Sequence, residues 1–385
     1  MYTVGIVAEF DPFHKGHEYL LKQARERGAT HVAVVMSGAA VQRGEIAVCT
    51  KQERAEFALR CGADLVAELP APYSCSMAKF FADGAVRILG QLGIDALCFG
   101  SETENAGSIL SAAKAMDELT DSETVRKFLD GGTSYPAALH KAVGERYGEA
   151  AAEPLGTPNS TLGVEYVRAL GRNSISADIL PVKRVGAGHD KKGGEYPSGS
   201  ELRELLSLGR DISVGVPEGC VPAALFEPEK CGDILLYRLL TAEKEELTSL
   251  PELTEAIADR IIKVRRDPPD TLAEFLAAVK TANITHARLR RSALHLTLGV
   301  TPSDYGEPPF VRILAFNSRG AEILRRAENT VPVSVSLREL EESSVRASRI
   351  ATLENRAVRL QQMCRVTASP RFENEYTRKI IMKKL

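Results

Sequence analysis

The chain has 385 residues, 44% of them hydrophobic and 26% charged, with a formal net charge of −2. That length exceeds one ordinary compact core and makes two domains the default. The near-neutral charge excludes a uniformly basic nucleic-acid coat, while leaving room for a local basic patch.

In chain order, Val4–Ala8 reads as a short buried strand and His17–Arg27 as a helix. Val32–Met36 is a second strand, apolar and β-branched. Lys51–Arg60 reads as a helix and Leu65–Leu69 as a strand. Met77–Leu92 is a longer helix with Phe81, Ala85, Ile88 and Leu92 on one face, and Asp95–Phe99 is again a strand that ends at Gly100. This alternation predicts an α/β fold with a Rossmann-like parallel sheet covered on both faces. The stretch from Ala106 to Leu170 is mostly helical, with a break around Glu153–Pro158, and Ala177–Val182 is a further strand. The segment 186–194, with Lys191, Lys192, Gly193 and Gly194, reads as a mobile loop. After about residue 210 helical patterns dominate until the strand-like Val311–Phe316. The reading is therefore an α/β domain over 1–210 and a mainly helical domain over 211–385.

The seven cysteines are scattered, odd in number and free of any C-x-x-C pair. They read as reduced intracellular thiols rather than a disulfide framework or a zinc knuckle. The N-terminus lacks a basic region before an apolar run, and no apolar run reaches membrane-spanning length. A cytoplasmic protein is expected. With no Trp in the chain, any stacking platform has to use Tyr, Phe, His or Arg.

His14-Lys15-Gly16-His17 stands directly after the first strand and at the start of the first helix. Ligands of open α/β sheets sit at the carboxyl ends of strands, so this is the place for a nucleotide. Two imidazoles at a helix N-terminus can donate to phosphate oxygens, and the helix dipole favours negative charge there. Adenylyl transfer builds charge on the α-phosphate and on the leaving pyrophosphate, which fixed donors would stabilise. Gly16 leaves room for close backbone approach. Two surface histidines three apart also occur by chance, and a metal pair is a further reading. No carboxylate or cysteine cluster nearby completes a ligand set.

The motif lies in a longer match. Val7-Ala8-Glu9-Phe10-Asp11-Pro12-Phe13-His14-Lys15-Gly16-His17 resembles the N-terminal signature of the bacterial tRNA(Met) cytidine acetate ligases, members of the HxGH nucleotidyltransferases. Met36-Ser37-Gly38, Gln42-Arg43-Gly44-Glu45, Gly62 to Pro70, Cys98-Phe99-Gly100-Ser101-Glu102, Pro158-Asn159, Lys183-Arg184, Thr285-His286-Ala287-Arg288 and Asn374-Glu375-Tyr376-Thr377 extend the resemblance along nearly the whole chain. The resemblance implies an enzyme that forms acetyl-adenylate from acetate and ATP. It then acetylates the exocyclic amine of the wobble cytidine of elongator tRNA(Met). The implied ATP contacts are Val7, Ala8, Glu9, Phe10, Asp11, Pro12, Phe13, His14, Lys15, Gly16, His17, Glu18, Tyr19 and Leu20, with Gly100, Asn159 and Arg184. His14 and His17 take the catalytic role. Mg²⁺ is expected to ride on the triphosphate, and no stable protein partner is implied. Asp11 stands where the family usually has Asn, and Ala39-Ala40 replace a larger pair.

Other readings of single residues stay open. Gly100 suits close approach to a base or ribose, and equally an ordinary strand-to-loop turn. Asn159 suits a helix N-cap. Ser198-Gly199-Ser200-Glu201-Leu202-Arg203 resembles a second phosphate-binding element, or a plain capping box. Arg288, Arg291 and His295 on one helical face, with Arg290 beside it, and the basic tail over 361–385 form the candidate tRNA surface. Two alternatives to the ligase are an adenylyltransferase acting on a small phosphorylated metabolite and a non-catalytic RNA-binding protein.

Overall fold

The computed structural model describes residues 1–185, 196–367, 372–378 and 380–383. The expected loop 186–194 and the tail residues Arg371, Lys379 and Lys384 lie outside the described residues. β1 (Thr3–Ala8), α1 (Lys15–Glu26) and β2 (His31–Ser37) come first. A hairpin of β3 (Ala40–Val41) and β4 (Glu45–Ile46) precedes α2 (Lys51–Arg60), β5 (Leu65–Leu69), α3 (Ala78–Gln91) and β6 (Ala96–Ser101). A helical excursion of α4 (Ala106–Leu119), α5 (Glu123–Asp130), α6 (Tyr135–Tyr147), α7 (Glu149–Ala152) and α8 (Pro158–Arg172) leads to β7 (Asp178–Lys183) and α9 (Gly199–Ser207). Then follow α10 (Gly232–Thr241), α11 (Lys244–Thr248), α12 (Glu255–Val264), α13 (Leu272–Val279) and α14 (His286–Leu298). β8 (Val311–Asn317), α15 (Ser318–Arg326), β9 (Val333–Ser334), α16 (Leu337–Glu342), α17 (Val345–Met363) and β10 (Ile381–Lys383) complete the chain.

The sheet order is β10-β8-β5-β2-β1-β6-β7, with β9 also paired to β8. The strands β5-β2-β1-β6-β7 are mutually parallel. Apart from the edge strand β7, whose ends Asp178 and Lys183 are exposed, their near-continuous apolar sequences follow from burial on both faces. Val4, Ile6, Val32, Val34 and Met36 point into a core beneath α1 and α2. Val7, Ala33 and Val35 point into the other core, with Phe81, Ala85 and Ile88 of α3 and Leu92 at its C-cap. Strand order reverses beside β1: the chain runs outward through β2 and β5 on one side and β6 and β7 on the other. The crevice at the carboxyl ends of β1 and β6 is thus the switch point where such sheets bind ligands.

The region after residue 210 does not stand apart from this sheet. β8 pairs antiparallel with β5, through Leu65 opposite Phe316 and Val66 opposite Ala315. β10 runs parallel to β8. The boundary expected near 210 therefore does not coincide with the edge of the sheet.

A buried ion cluster ties the two halves together. Lys51 Nζ lies 2.5 Å from Glu68, 3.0 Å from Glu354 and 2.7 Å from Glu375. Arg312 Nη1 reaches Glu68 at 3.1 Å and Glu375 at 2.6 Å. All five side chains are almost completely buried, and they come from α2, β5, β8, α17 and the turn that precedes β10. Such a cluster is held together by mutual pairing, since an unpartnered charge at this depth would be strongly unfavourable.

The reading of all seven cysteines as thiols is corrected. Cys231 and Cys364 form a disulfide across 133 residues, with Cα atoms 6.0 Å apart, and the other five are free. Partners so far apart in the chain leave no spacing signature. No helix among the described residues is long and apolar enough to cross a membrane.

Candidate nucleotide site

β1 delivers the chain to Phe10, whose φ of 51° is rare for a residue with a side chain. Phe10 and Phe13 are fully buried beneath the loop and pack against His17, with ring centroids 4.8 and 5.7 Å away. His14 caps α1: its Nδ1 accepts from Gly16 N at 3.0 Å, and His14 N donates to His17 Nδ1 at 3.2 Å. The two rings stack, with centroids 3.7 Å apart. A Cβ on Gly16 would sit 2.9 Å from the His14 ring, so glycine is what allows that ring to lie over the first turn.

These contacts decide the tautomers. Each Nδ1 accepts a backbone N–H and therefore carries no proton. A neutral ring must then carry its proton on Nε2. Burial and the guanidinium groups of Arg184 and Arg203 lower the His14 pKa to about 3. Burial, His14 and the same two arginines hold His17 well below the ordinary value. Both rings thus present an Nε2–H donor at neutral pH. Nitrogen NMR of the imidazoles is expected to find both in this neutral form, with no titration between pH 5.5 and 8. A titration step near 6.5 in either ring would contradict the geometry.

The distant residues converge here. Arg184 follows β7 and donates from its backbone N to Ser101 O at the end of β6. Its Nη1 donates to Asn159 Oδ1 at 2.8 Å. A Cβ on Gly100 would lie 3.5 Å from Arg184 Cγ. α9 begins beside His14: a Cβ on Gly199 would lie 3.7 Å from His14 Nε2 and 3.2 Å from Arg203 Nη1. Ser198 caps α9 by accepting from Glu201 N, and Arg203 donates to Asp11 O at 2.6 Å and to Ser200 Oγ at 3.0 Å. Among the described residues neither Arg184 nor Arg203 bonds a carboxylate. Two neutral donors and two guanidinium groups without a direct ion pair among the described residues, set at a helix N-terminus, make an anion site, although Asp11, Glu9 and Glu45 lie near enough to Arg203 to favour its charge. No group of three His, Cys, Asp or Glu side chains among the described residues is placed to hold a metal.

Several expected residues have other tasks. The carboxylates of Glu9 and Asp11 face into the protein. Glu9 accepts from Gln42 N and Arg43, and Asp11 accepts from Val48 N at 2.8 Å and Arg43 at 2.6 Å. The Asp at position 11 therefore belongs to a charge cluster of Arg43 with Glu9, Asp11 and Glu45. Gln42-Arg43-Gly44 is the turn of the β3–β4 hairpin, and Glu45 opens β4 opposite Val41. Gly44 has φ of 80°, and a Cβ there would meet Arg291 N of α14 at 2.3 Å. Ala39 and Ala40 are fully buried, with Ala39 N donating to Glu354. Asn159 is in the first turn of α8, whose N-cap is Thr157, so the plain N-cap reading of Asn159 does not hold.

The candidate tRNA surface on α14 is also corrected. His295 is fully buried, with its Nε2 2.8 Å from Cys75 O. Arg291 forms a two-pronged ion pair with buried Glu252, and Arg288 donates to Glu252 O. Helical spacing placed these residues on one face, but that face turns inward. In the tail, Arg365 and Arg378 both pair with Glu373.

Two supporting residues were not legible in advance. Arg54, fully buried on α2, donates to the carbonyls of Glu9, Ser37 and Gly38 and pins the loops after β1 and β2. Glu102 accepts from Thr157, Asn159 and Ser160. Nothing local marks the Arg54 contacts. The only hint of Glu102 is its place in the stretch that ends the sixth strand.

The HIGH Nucleotidyl Transferase family model matches residues 1–375. A tRNA(Met) cytidine acetate ligase of Syntrophotalea carbinolica is 36% identical, over 85% of this chain and 82% of that protein. The tRNA(Met) cytidine acetate ligase of Acetivibrio thermocellus is 31% identical, over 99% of this chain and 100% of that one. The chain belongs to the tRNA(Met) cytidine acetate ligase family. Its fold agrees: the crystal structure of Thermotoga maritima TmcAL bound with alpha-thio ATP superposes with a TM-score of 0.90 at 27% identity, covering both chains fully. The extended resemblance carried by the HxGH loop and the later motifs thus identified the family, and the mainly parallel sheet expected from the strand–helix alternation is the one observed.

Proposed function

We propose that this chain activates acetate with ATP and acetylates the wobble cytidine of elongator tRNA(Met). An acetate oxygen attacks the α-phosphorus, pyrophosphate leaves, and acetyl-adenylate forms. The cytidine N4 amine then attacks the acetyl carbonyl, AMP leaves, and the amine loses a proton. The convergence of His14, His17, Arg184 and Arg203, with neither arginine in a direct ion pair among the described residues, carries this reading, because it is suited to charge developing on a triphosphate. Gly100 and Asn159 line the same crevice and complete the ATP contacts, with the backbone of the Val7–Leu20 segment. Mg²⁺ is expected to enter with the triphosphate. The region after residue 210 is the proposed tRNA-binding part. The tRNA base has to be unstacked to reach the adenylate.

The test is direct. Protein, MgATP, acetate and unmodified tRNA(Met) are incubated, and the tRNA is digested to nucleosides for mass analysis. Acetylcytidine that requires both ATP and acetate is the expected product. Its absence, with ATP consumed in the presence of a phosphorylated metabolite instead, would overturn the assignment.

A further inference from the structure

The loop after β6 is locked onto the first turn of α8 by one carboxylate. Glu102 Oε2 accepts from Thr157 Oγ1 at 2.8 Å, Ser160 N at 2.8 Å and Ser160 Oγ at 2.7 Å, while Oε1 accepts from Asn159 Nδ2 at 2.7 Å. The backbone takes part, with Glu102 N donating to Ser160 Oγ at 3.1 Å. Ser101 Oγ lies 2.9 Å from Ser160 Oγ and accepts from Thr103 N. Four donors on one carboxylate leave it little capacity to act as a base or to hold a cation. Burial opposes its ionisation, but the hydrogen bonds from Asn159, Ser160 and Thr157 outweigh this and bring its pKa down to about 2.

The consequence falls on Asn159. A side-chain amide has a donor end and an acceptor end, and its orientation follows from its partners. With Nδ2 donating to Glu102, Oδ1 must face the other way, where it accepts from Arg184 Nη1 at 2.8 Å. Flipped, the amide would present N–H groups to a guanidinium that has donors alone. The geometry points to Glu102 as a positioning residue that fixes the Asn159 amide and, through it, the Arg184 guanidinium at the nucleotide site. It acts through Asn159 and does not touch the reacting atoms. The inference rests on the proposed role of Arg184 as an ATP contact.

ATP affinity is the readout, measured by titrating the full chain with MgATP alone, without acetate or tRNA. Glu102→Gln keeps the shape but supplies one acceptor oxygen in place of two. It is expected to weaken ATP binding about tenfold, and Asn159→Ala by at least as much. In the combined variant Glu102→Gln should add less than a further twofold, because its effect passes through Asn159. Thr157→Val removes another of the Glu102 bonds while leaving the Asn159–Arg184 pair in place, and should change ATP affinity less than twofold. Losses that multiply in the combined variant would overturn the inference. So would a Thr157→Val loss equal to that of Glu102→Gln, since the carboxylate would then act by holding the loop. A wild-type chain that binds ATP but makes no acetylcytidine would sink the proposed reaction and leave this inference standing.

Discussion

Replacing His17 with alanine is expected to slow acetyl-adenylate formation by about 10²–10³-fold, the usual cost of removing one fixed donor from a site of developing negative charge. His17 is committed to one tautomer because its Nδ1 accepts from His14 N at 3.2 Å. The remaining Nε2–H is oriented before substrate arrives, so no reorganisation is needed as charge builds. The ring is held between Phe10, Phe13 and His14. Alanine removes the donor and also the acceptor for His14 N, so the His14 ring should lose definition as well. The measurement is acetate-dependent pyrophosphate release at saturating ATP, with tRNA binding followed in parallel. Adenylate formation should collapse while tRNA affinity stays within about twofold, if phosphate and RNA surfaces are separate. Equal loss of both would make His17 a structural residue.

Lys51→Met is expected to destabilise the fold by about 3–5 kcal/mol, the range for stranding a buried charge by removing its partner. Three carboxylates share Lys51 and Arg312. Burial by itself would lower the pKa of Lys51, but Glu354, Glu375 and Glu68 outweigh it and hold the ammonium above its ordinary range. Glu354 is the weak member. Its pKa is raised to about 7 on balance: burial is the largest cause and Glu68 adds to it, while Lys51 and the backbone N–H groups of Ala71 and Ala39 act against them. A raised folded value means that its contribution is full below the unfolded carboxylate pKa and is lost as pH rises through about 7. Without Lys51 the cost of ionising Glu354 increases, so the deficit of the variant should grow between pH 6 and pH 8. Urea unfolding of both proteins at the two pH values checks this. A deficit under about 1 kcal/mol, or one independent of pH, would show that the cluster does not bear on stability as described. The ends of the cluster lie on β5 and β8, so the same variant is expected to loosen the attachment of the C-terminal region to the sheet.

The local features were legible because their physics is local. The predicted strands and helices that alternate through the first hundred residues lie within two residues of those observed, since period and capping are written in neighbouring residues. The same holds for the HxGH loop, where His14, Gly16 and His17 complete one capped turn. Long-range relations were not legible in this way. Helical spacing placed Arg288, Arg291 and His295 on one face, but spacing does not say whether that face meets water or the Glu252 carboxylate and the Cys75 carbonyl. The antiparallel insertion of β8 beside β5 and the Cys231–Cys364 bond likewise join segments with no common pattern.

The HxGH loop states its chemistry in sequence because its donors are set by a cap three residues long. The anion site around it is a product of the tertiary structure. Asn159 reaches Glu102 across 57 residues and Arg184 across 25, and Arg203 reaches Asp11 across 192. No local propensity acts over such distances. What closes them is burial of both faces of the sheet, which brings the ends of β1, β6 and β7 to one crevice and the start of α9 over it.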